Sequence, residues 1–207
     1  MSLSSPRSSV GAERMTTPQQ QSQSPRNEHA SDRAGEGDLA SGGDALLDSA
    51  SYRAVLRHQA GAVTVVATGR SGARAGLTAT AVCSLSDDPP TVLVCVGRGT
   101  GAHDLIASEG VFSINILARD QKDVAEIFSG RRGMKGEARF ASLPWYELTT
   151  GAPLLEGALA NLDCTLVESH GFSTHSIFIG RVRSGMFRSD AEPLLYFRGD
   201  YWHIGER

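Results

Sequence analysis

The chain has 207 residues, with 20 basic and 23 acidic side chains and a net charge of −3 at pH 7. Four of the basic and seven of the acidic residues lie in the first 50 positions, which leaves 16 of each kind in the remainder. Because the remainder has no excess of positive charge, a general nucleic-acid-binding protein is disfavoured. The length is sufficient to bury a hydrophobic core without a disulfide or a metal.

Cysteine and histidine spacing gives no sign of a metal site. The three cysteines, Cys83, Cys95 and Cys164, match neither a zinc-binding pattern nor an even disulfide framework. Unpaired cysteines indicate a reducing, cytoplasmic location. The first residues lack the apolar segment of a signal peptide, and no run of 18 apolar residues occurs, so we expect neither secretion nor a membrane association.

The N-terminal residues differ in composition from the rest of the chain. Residues 1–43 contain no aromatic residue and are rich in Ser, Gln, Pro and Gly. Such a segment cannot bury enough apolar area to offset the entropy of ordering it. We therefore expect a disordered tail over residues 1–43, in which Met15 is an alternative start, followed by one folded domain over residues 44–207.

Short β-branched runs and turn signals dominate the sequence after residue 60. Three helices are expected: one from an N-cap at Asp44 to near Gly61, a short one from Thr100 or Gly101, and one over residues 120–128. Many short strands with few helices predict a mainly β fold, a small β-barrel with peripheral helices. The predicted strands cover residues 62–68, 76–84, 91–96, 111–117, 159–168, 176–186, 194–197 and 201–204.

A glycine-spaced turn, residues 97–101 (GRGTG), separates a predicted strand from a predicted helix. Amides at a helix N-terminus bind anions, and Arg98 and Thr100 add a guanidinium and a hydroxyl group. This combination suits a phosphate. The alternative is a turn with a solvated arginine.

Two further features could contribute to a binding site. Residues 78–84 (TATAVCS) are small and hydroxyl-rich, so a flat ligand could approach the backbone there, although a strand with one wet face is the alternative. His175, at the start of a predicted strand, is either a surface residue or a hydrogen-bond donor to a phosphate or amide. The familiar motifs of serine hydrolases, P-loop proteins and zinc proteases are absent.

In order along the chain, several runs resemble the flavin reductase-like family of FMN-binding split-barrel proteins. The resemblance spans residues 52–205. It implies a split β-barrel with a few peripheral helices. The runs are residues 52–66 (YRAVLRHQAGAVTVV), 76–86 (GLTATAVCSLS) with 88–90 (DPP), 98–103 (RGTGAH), 112–117 (FSINIL), Phe128, 135–136 (KG) with 139–140 (RF), 175–180 (HSIFIG) and 195–198 (LYFR).

The resemblance also implies an activity, namely that of an NAD(P)H:flavin oxidoreductase. Such an enzyme transfers a hydride from NADH or NADPH to FMN or FAD, so that no catalytic side chain is required. It would supply reduced flavin to a partner monooxygenase and would be a homodimer. The alternatives are a flavin-binding split-barrel protein without catalytic activity and a reductase of the same fold that acts on a corrinoid or ferric ion.

The same resemblance implies which residues bind the two cofactors. The family often has a threonine where this chain has Cys83, so one hydrogen bond to the flavin is in question. The implied residues are Thr78, Ala79, Thr80, Cys83 and Ser84 for the flavin ring and ribityl chain, Arg98 and Thr100 for its phosphate, Phe128 and Lys135 for the remaining edge, and His175 and Tyr201 for the nicotinamide.

Overall fold

The structure, a computed structural model, describes residues 46–204. The expected tail and the expected N-cap Asp44 lie outside the described residues. The first helix begins after Asp48, whose carboxylate accepts hydrogen bonds from the amides of Ala50 (2.8 Å) and Ser51 (3.1 Å). The prediction that the helix starts at residue 45 is therefore wrong, because Leu46 and Leu47 precede the residue that caps it.

Within the described residues, the chain forms three α-helices, one 3₁₀ turn and twelve strands. The helices are α1 (Ser49–Leu56), α2 (Gly101–Glu109) and α3 (Lys122–Phe128), and the 3₁₀ turn covers Gly136–Arg139. The strands are β1 (Gly61–Ala62), β2 (Thr64–Thr68), β3 (Ala75–Ala79), β4 (Val82–Asp87), β5 (Pro90–Gly97), β6 (Val111–Ile116), β7 (Trp145–Tyr146), β8 (Leu154–Leu155), β9 (Ala160–Phe172), β10 (His175–Phe187), β11 (Leu194–Phe197) and β12 (Asp200–His203).

An antiparallel sheet of seven strands, in the order β3-β2-β6-β9-β10-β5-β4, forms the body of the domain. Strands β1, β11 and β12 form a second sheet, and β7 pairs with β8. The two edge strands of the large sheet, β3 and β4, are consecutive in the chain and are joined only by Thr80 and Ala81. Because so short a connection holds the two edges close together, the sheet curls into a barrel that is open between β3 and β4.

This opening corrects the prediction of one continuous strand over residues 76–84. The chain leaves the first edge after Ala79 and joins the opposite edge at Val82. There the Ala81 carbonyl accepts a hydrogen bond from the Cys95 amide (3.0 Å), which fixes the start of β4 against β5. The run is uniformly small and β-prone, so its composition does not show where the chain crosses from one edge to the other.

Two clusters of buried apolar side chains fill the interior. One lies under α3 and includes Phe128, Phe140 and Leu155, whereas the other lies under α2 and includes Phe112 and Phe178. Burial of apolar side chains such as these is the dominant favourable contribution to folding. The observed architecture confirms the predicted mainly β fold with peripheral helices.

No helix in residues 46–204 is long and apolar enough to cross a membrane.

Candidate functional site

A cleft of about 760 Å³ lies beside the open edge of the barrel. One wall is the whole of β3 with the Thr80–Ala81 connection, and the opposite wall is the end of β5 with the turn that leads into α2. The C-terminal end of α3, the loop around Lys135 and His175 of β10 complete the lining. The cleft is therefore bounded mainly by backbone and small side chains, which suits a flat ligand.

Gly76 determines how closely β3 approaches α3. A Cβ atom at this position would lie 2.9 Å from the Phe128 ring and 3.0 Å from the Val66 carbonyl oxygen. Real Cβ atoms do not approach other atoms so closely, so only glycine fits here without a shift. Because Phe128 also lines the cleft, the close contact between Gly76 and the Phe128 ring helps to set the shape of the cleft.

The N-terminus of α2 faces the cleft at its other end. Gly101 and Ala102, the first residues of the helix, line the cleft, and no side chain caps their amides. The Thr100 hydroxyl instead donates to the Gly97 carbonyl (2.8 Å), which tightens the turn. Uncapped amides and the positive end of the helix dipole form a site for an anion.

The charged residues that line the cleft are basic. Lys135 is exposed and has no ion-pair partner among the described residues, and His175 is exposed at the cleft rim. The Arg139 guanidinium donates to three carbonyls, those of Met134 (2.8 Å), Gly76 (2.9 Å) and Phe128 (3.3 Å). Arg139 therefore joins the loop to both β3 and α3, and the cleft keeps a positive potential that favours a phosphorylated ligand.

An ion pair between Glu137 and Arg74 also holds the loop around Lys135 against β3. Glu137 accepts hydrogen bonds from the Arg74 amide (2.7 Å) and from the Arg74 guanidinium, which also lies 4.7 Å from the centre of the Phe140 ring. The side-chain hydrogen bond from Arg74 lowers the pKa of Glu137 below its ordinary value. Since this ion pair lies beside the cleft, it holds the loop of Lys135 in place without occupying the binding surface.

Seven of the residues implied by the family resemblance lie together at this cleft. Among them, the Thr78 hydroxyl already donates to the Ala125 carbonyl (2.7 Å), so it can only accept a hydrogen bond from a ligand. Their roles toward a cofactor remain predictions. The seven are Thr78, Ala79, Thr80, Thr100, Phe128, Lys135 and His175.

Three other implied residues do not line the cleft. Cys83 and Ser84 are exposed on β4, where the Cys83 thiol contacts the Ser84 carbonyl at 3.1 Å. Arg98 lies in the turn before α2, but its guanidinium extends toward Ser176 on the outer side of that turn (Nε–Oγ 3.4 Å). The structure thus places the backbone of Arg98, and not its side chain, next to the cleft lining.

Tyr201 lines an adjoining pocket of about 200 Å³, which shares residues 78–80 and Ser129 with the cleft. Tyr196 meets Tyr201 edge to face at 5.5 Å, and the Arg131 guanidinium lies 5.6 Å from the centre of the Tyr201 ring. Burial is the main cause that raises the pKa of Tyr201, so its hydroxyl stays protonated at neutral pH. This pocket offers aromatic faces and a cation beside the main cleft.

The sequence alone did not identify Gly76, Arg139 and Arg131 as site residues. Arg139 belongs to one of the family-like runs, but nothing in its local sequence shows that it will bridge β3 and α3. Gly76 could have been suspected, because a glycine inside a β-prone run often marks a close approach of backbone to another group. Among residues 46–204, no cluster of His, Cys, Asp or Glu side chains is arranged to hold a metal ion.

Comparison with known proteins identifies the class to which this fold and cleft belong. Residues 56–205 match the model of the flavin reductase like domain. The chain is similar to the protein called FMN reductase (NADH) RutF of Stutzerimonas stutzeri, with 39% identity over 150 residues that cover 72% of this chain and 85% of the relative. A second relative, FMN reductase (NADH) RutF 2 of Methylorubrum extorquens, is 43% identical over 150 residues, which cover 72% of this chain and 86% of that protein.

Solved structures give the same result. BorF, described as the flavin reductase component of a bacterial two-component tryptophan halogenase, superposes with a TM-score of 0.71 and 34% identity, over 77% of this chain and all of that one. SgcE6 of Streptomyces globisporus, described as an NADH:FAD oxidoreductase in complex with NAD and FAD fragments, gives a TM-score of 0.70 and 28% identity over 76% of this chain and 93% of the other.

The chain belongs to the flavin reductase-like family. Within that family it is a flavin reductase, as the resemblance implied, and the alternatives without flavin reductase activity are not favoured. The flavin and nicotinamide cofactors expected from the sequence agree with this assignment.

Proposed function

We propose that the cleft binds FMN and NADH together and that the chain reduces FMN at the expense of NADH. The observation that carries this proposal is the cleft itself, in which a wall of small residues on β3 lies opposite the uncapped amides of α2. Two relatives carry names that state this pair, whereas SgcE6 is described with FAD. FAD and NADPH are therefore tested beside FMN and NADH.

The two walls of the cleft bind different parts of the flavin. Backbone groups of residues 78–80 face the polar edge of the ring, and the amides of Gly101 and Ala102 face the phosphate, whereas the Thr100 hydroxyl already donates to the Gly97 carbonyl. Lys135 adds a positive charge from the loop that Glu137 and Arg139 hold in place. A bound flavin supplies the electron-accepting ring, so the protein needs only to align it with the nicotinamide.

The nicotinamide nucleotide is assigned to His175, at the rim of the cleft, and to Tyr201, in the adjoining pocket, as the family resemblance implies. The pocket of Tyr201 shares residues 78–80 with the flavin wall, so a ligand in it lies next to the flavin ring. Arg131 and Lys122 lie 5.6 and 5.5 Å from the centre of the Tyr201 ring and have no ion-pair partner among the described residues. They provide positive charge for the phosphates of a nucleotide.

The first experiment measures oxidation of NADH and NADPH by the purified full chain, with and without added FMN or FAD. We expect rapid loss of NADH absorbance only when FMN is present, and slower loss with FAD or NADPH. Absence of flavin-dependent oxidation with all four pairs, in a chain that still binds FMN, would contradict the proposal.

A substitution at His175 tests the assignment of the nicotinamide side. His175→Ala is expected to raise the KM for NADH by about tenfold and to leave the KM for FMN within about twofold, because the family resemblance assigns His175 to the nicotinamide. His58→Ala, which removes an exposed imidazole away from the cleft, is the control. Equal increases in both KM values would contradict the assignment.

We also propose that reduced flavin leaves this chain for a separate oxygenase component. Thr80 and Lys135 are exposed at the cleft, which supports exchange of flavin with solvent. The description of BorF as a component of a two-component halogenase supports the same role. Flavin that dialyses away from the purified chain is the expected result, and flavin that stays bound through dialysis would argue against a role as a diffusing substrate.

A homodimer and a cytoplasmic location are the remaining parts of the proposal. Four large apolar side chains on β9 and β10, those of Val167, Phe172, Met186 and Phe187, are exposed, two of them by more than 80%. The dimer itself is implied by the family resemblance, and these side chains, which lie toward both ends of the β9–β10 hairpin, are candidates for the contact. Light scattering should give twice the mass of one chain, and a monomer mass would contradict the dimer. The unpaired state of all three cysteines supports the reducing location.

A further inference from the structure

Ser129 lies where the cleft and the pocket of Tyr201 meet. Among residues 46–204, those that line both spaces are Thr78, Ala79, Thr80 and Ser129. Ser129 is exposed and directly follows the last residue of α3. A flavin in the cleft and a nicotinamide in the pocket would come together at these shared residues, so the Ser129 side chain lies within reach of the place where hydride transfer occurs.

The proton of the Ser129 hydroxyl is used inside the protein. Its Oγ donates to the Glu126 carbonyl (3.0 Å), and the Gly130 amide, the next donor in the helical pattern, bonds to the Ile127 carbonyl instead (3.3 Å). The hydroxyl therefore satisfies a carbonyl at the end of α3 that lacks its usual helical donor. Because a hydroxyl has one proton and two lone pairs, Ser129 Oγ accepts a hydrogen bond from a ligand but does not donate one.

Thr78 is in the same state. Its hydroxyl donates to the Ala125 carbonyl (2.7 Å), which precedes the Glu126 carbonyl in the last turn of α3. Two side-chain oxygens, each with its proton bound to α3, thus border the space that the cleft and the pocket share. The ligand group that complements such oxygens is an N–H donor.

A nicotinamide nucleotide carries such a donor next to its reacting atom. The carboxamide is attached to C3 of the ring, beside the C4 atom from which the hydride leaves, and its NH2 group has two protons to donate. A hydrogen bond to this group fixes the position and the rotation of the ring, so that C4 is presented to the flavin. An oxygen that only accepts suits the carboxamide N–H and gives nothing to a substituent without a proton.

We propose that Ser129 determines specificity for the nicotinamide, because its hydroxyl accepts a hydrogen bond from the carboxamide N–H of NADH. This inference rests on the proposed function, since it requires that the nicotinamide enters the pocket of Tyr201. The ring N–H of the flavin is the other available donor, but the proposed function places the polar edge of the flavin against the backbone of residues 78–80.

The test compares NADH with its 3-acetylpyridine analogue, in which a methyl ketone replaces the carboxamide, so that the N–H donor is lost and the carbonyl is kept. Oxidation of each reduced nucleotide is measured with saturating FMN. Ser129→Ala is expected to lower kcat/KM for NADH about fivefold, as loss of one neutral hydrogen bond does, and to change kcat/KM for the analogue by less than about 1.5-fold. Since each nucleotide is compared with itself in the two chains, the intrinsic difference in reactivity cancels.

A binding measurement gives a readout that does not depend on turnover. Oxidised NAD⁺ and its 3-acetylpyridine analogue are titrated into the full chain with oxidised FMN present, and the dissociation constants are measured by calorimetry. Ser129→Ala should weaken NAD⁺ binding about three- to fivefold and leave binding of the analogue within about 1.5-fold. The dissociation constant of FMN should stay within about twofold of that of the unaltered chain.

Ser108→Ala is the matched control. The Ser108 hydroxyl makes the same kind of bond to a carbonyl three residues earlier (Leu105, 3.1 Å), and the residue is exposed on α2, outside both the cleft and the pocket. This variant should treat both nucleotides as the unaltered chain does.

Three results would overturn the proposal. Equal losses for NADH and the analogue in Ser129→Ala would mean that Ser129 acts by shaping the end of α3, unchanged values for NADH would mean that it makes no contact, and a loss confined to FMN would assign it to the flavin. Failure of the proposed function is recognised separately, because the unaltered chain would then oxidise neither nucleotide with any flavin, whereas the difference in NAD⁺ binding would still be measured.

Discussion

Two polar regions of this domain use similar residue types in opposite ways. The first is the polar layer, defined as the buried residues Ser113, Asn115, Asn161 and Asp163 on β6 and β9. The second is the cleft wall formed by residues 78–81 and 97–102. Both contain hydroxyl groups and backbone donors, yet the polar layer is closed to solvent and the cleft wall is open to it.

Every amide and carboxylate of the polar layer has partners within the protein. Asn115 donates to the Val65 carbonyl (2.9 Å) and accepts from the Leu155 amide (2.8 Å) and the Asn161 side chain (2.8 Å). Asp163 accepts from the Thr150 amide (2.8 Å) and two hydroxyls. At the cleft wall, the first amides of α2 have no side-chain cap. Polar groups with internal partners therefore hold the barrel together, and those without partners remain for a ligand.

The largest expected effect is the loss of a residue from the polar layer. Asn115→Ala would remove the side-chain partner of the Leu155 amide and of the Val65 carbonyl, and one of the partners of the Asn161 side chain, at a cost of about 3 kcal/mol in the free energy of unfolding. Urea denaturation measures this loss. Gln59→Ala, which removes an exposed amide side chain, is the control and should change stability by less than about 0.5 kcal/mol.

Asn115→Ala also tests whether the polar layer and the cleft wall have separate roles. FMN affinity of folded Asn115→Ala should stay within about twofold of the unaltered chain, because Asn115 does not line the cleft. A marked loss of FMN affinity with little loss of stability would show that the polar layer belongs to the binding site.

A smaller effect is expected at Gly76, because this residue affects both the packing of the barrel and the shape of the cleft. The Cβ atom of Gly76→Ala would force Phe128 or β3 to shift, which should cost about 1–3 kcal/mol of stability and also weaken FMN binding severalfold. Urea denaturation and fluorescence titration of FMN measure the two effects on one preparation. Gly99→Ala is the control for the loss of stability, because a Cβ atom at that position would meet nothing within 4 Å. If Gly76→Ala changed neither quantity, the close approach of β3 to α3 would not shape the cleft.

The sequence predicted most elements and the fold class, since β-branched runs and turn signals act locally. It did not predict the crossing at Thr80 and Ala81, because the switch of a strand from one sheet edge to the other is set by closure of the barrel. It also missed β7 and β8, which are two residues long and pair only with each other. Such short pairs leave no periodicity for a sequence pattern to show.

The sequence likewise predicted some features of the candidate site and not others. Family-like runs indicated the strand of Thr78 and the turn of Thr100, and both lie at the cleft. They did not indicate which way each side chain extends, so Cys83 lies on the exposed face of β4 and Arg98 lies over Gly171. Residues that join distant elements, such as Arg139 with its bonds to β3 and α3, follow from the tertiary fold and not from local sequence.

The smallest expected effect concerns the ion pair between Glu137 and Arg74, which holds the loop of Lys135. Because the pKa of Glu137 is lowered in the folded chain, the pair stabilises the fold at pH values above the unfolded pKa, and this contribution is lost as the pH falls through the folded pKa. Glu137→Gln should therefore lower stability at neutral pH by about 1 kcal/mol, a modest value because solvent screens a partly exposed pair. The difference from the unaltered chain should shrink as the pH is lowered from about 5 to about 3.

Thermal unfolding midpoints over this pH range measure the effect. Glu192→Gln is the matched control, because its ion pair with Arg119 (3.1 Å) has side chains that are 37% and 51% exposed, against 34% and 16% for Glu137 and Arg74. The Arg74 side chain also lies against the Phe140 ring, so its position is fixed by packing as well as by charge. A difference between Glu137→Gln and the unaltered chain that stayed constant down to about pH 3 would mean that the loop is held by this packing and by Arg139, and not by the charge of Glu137.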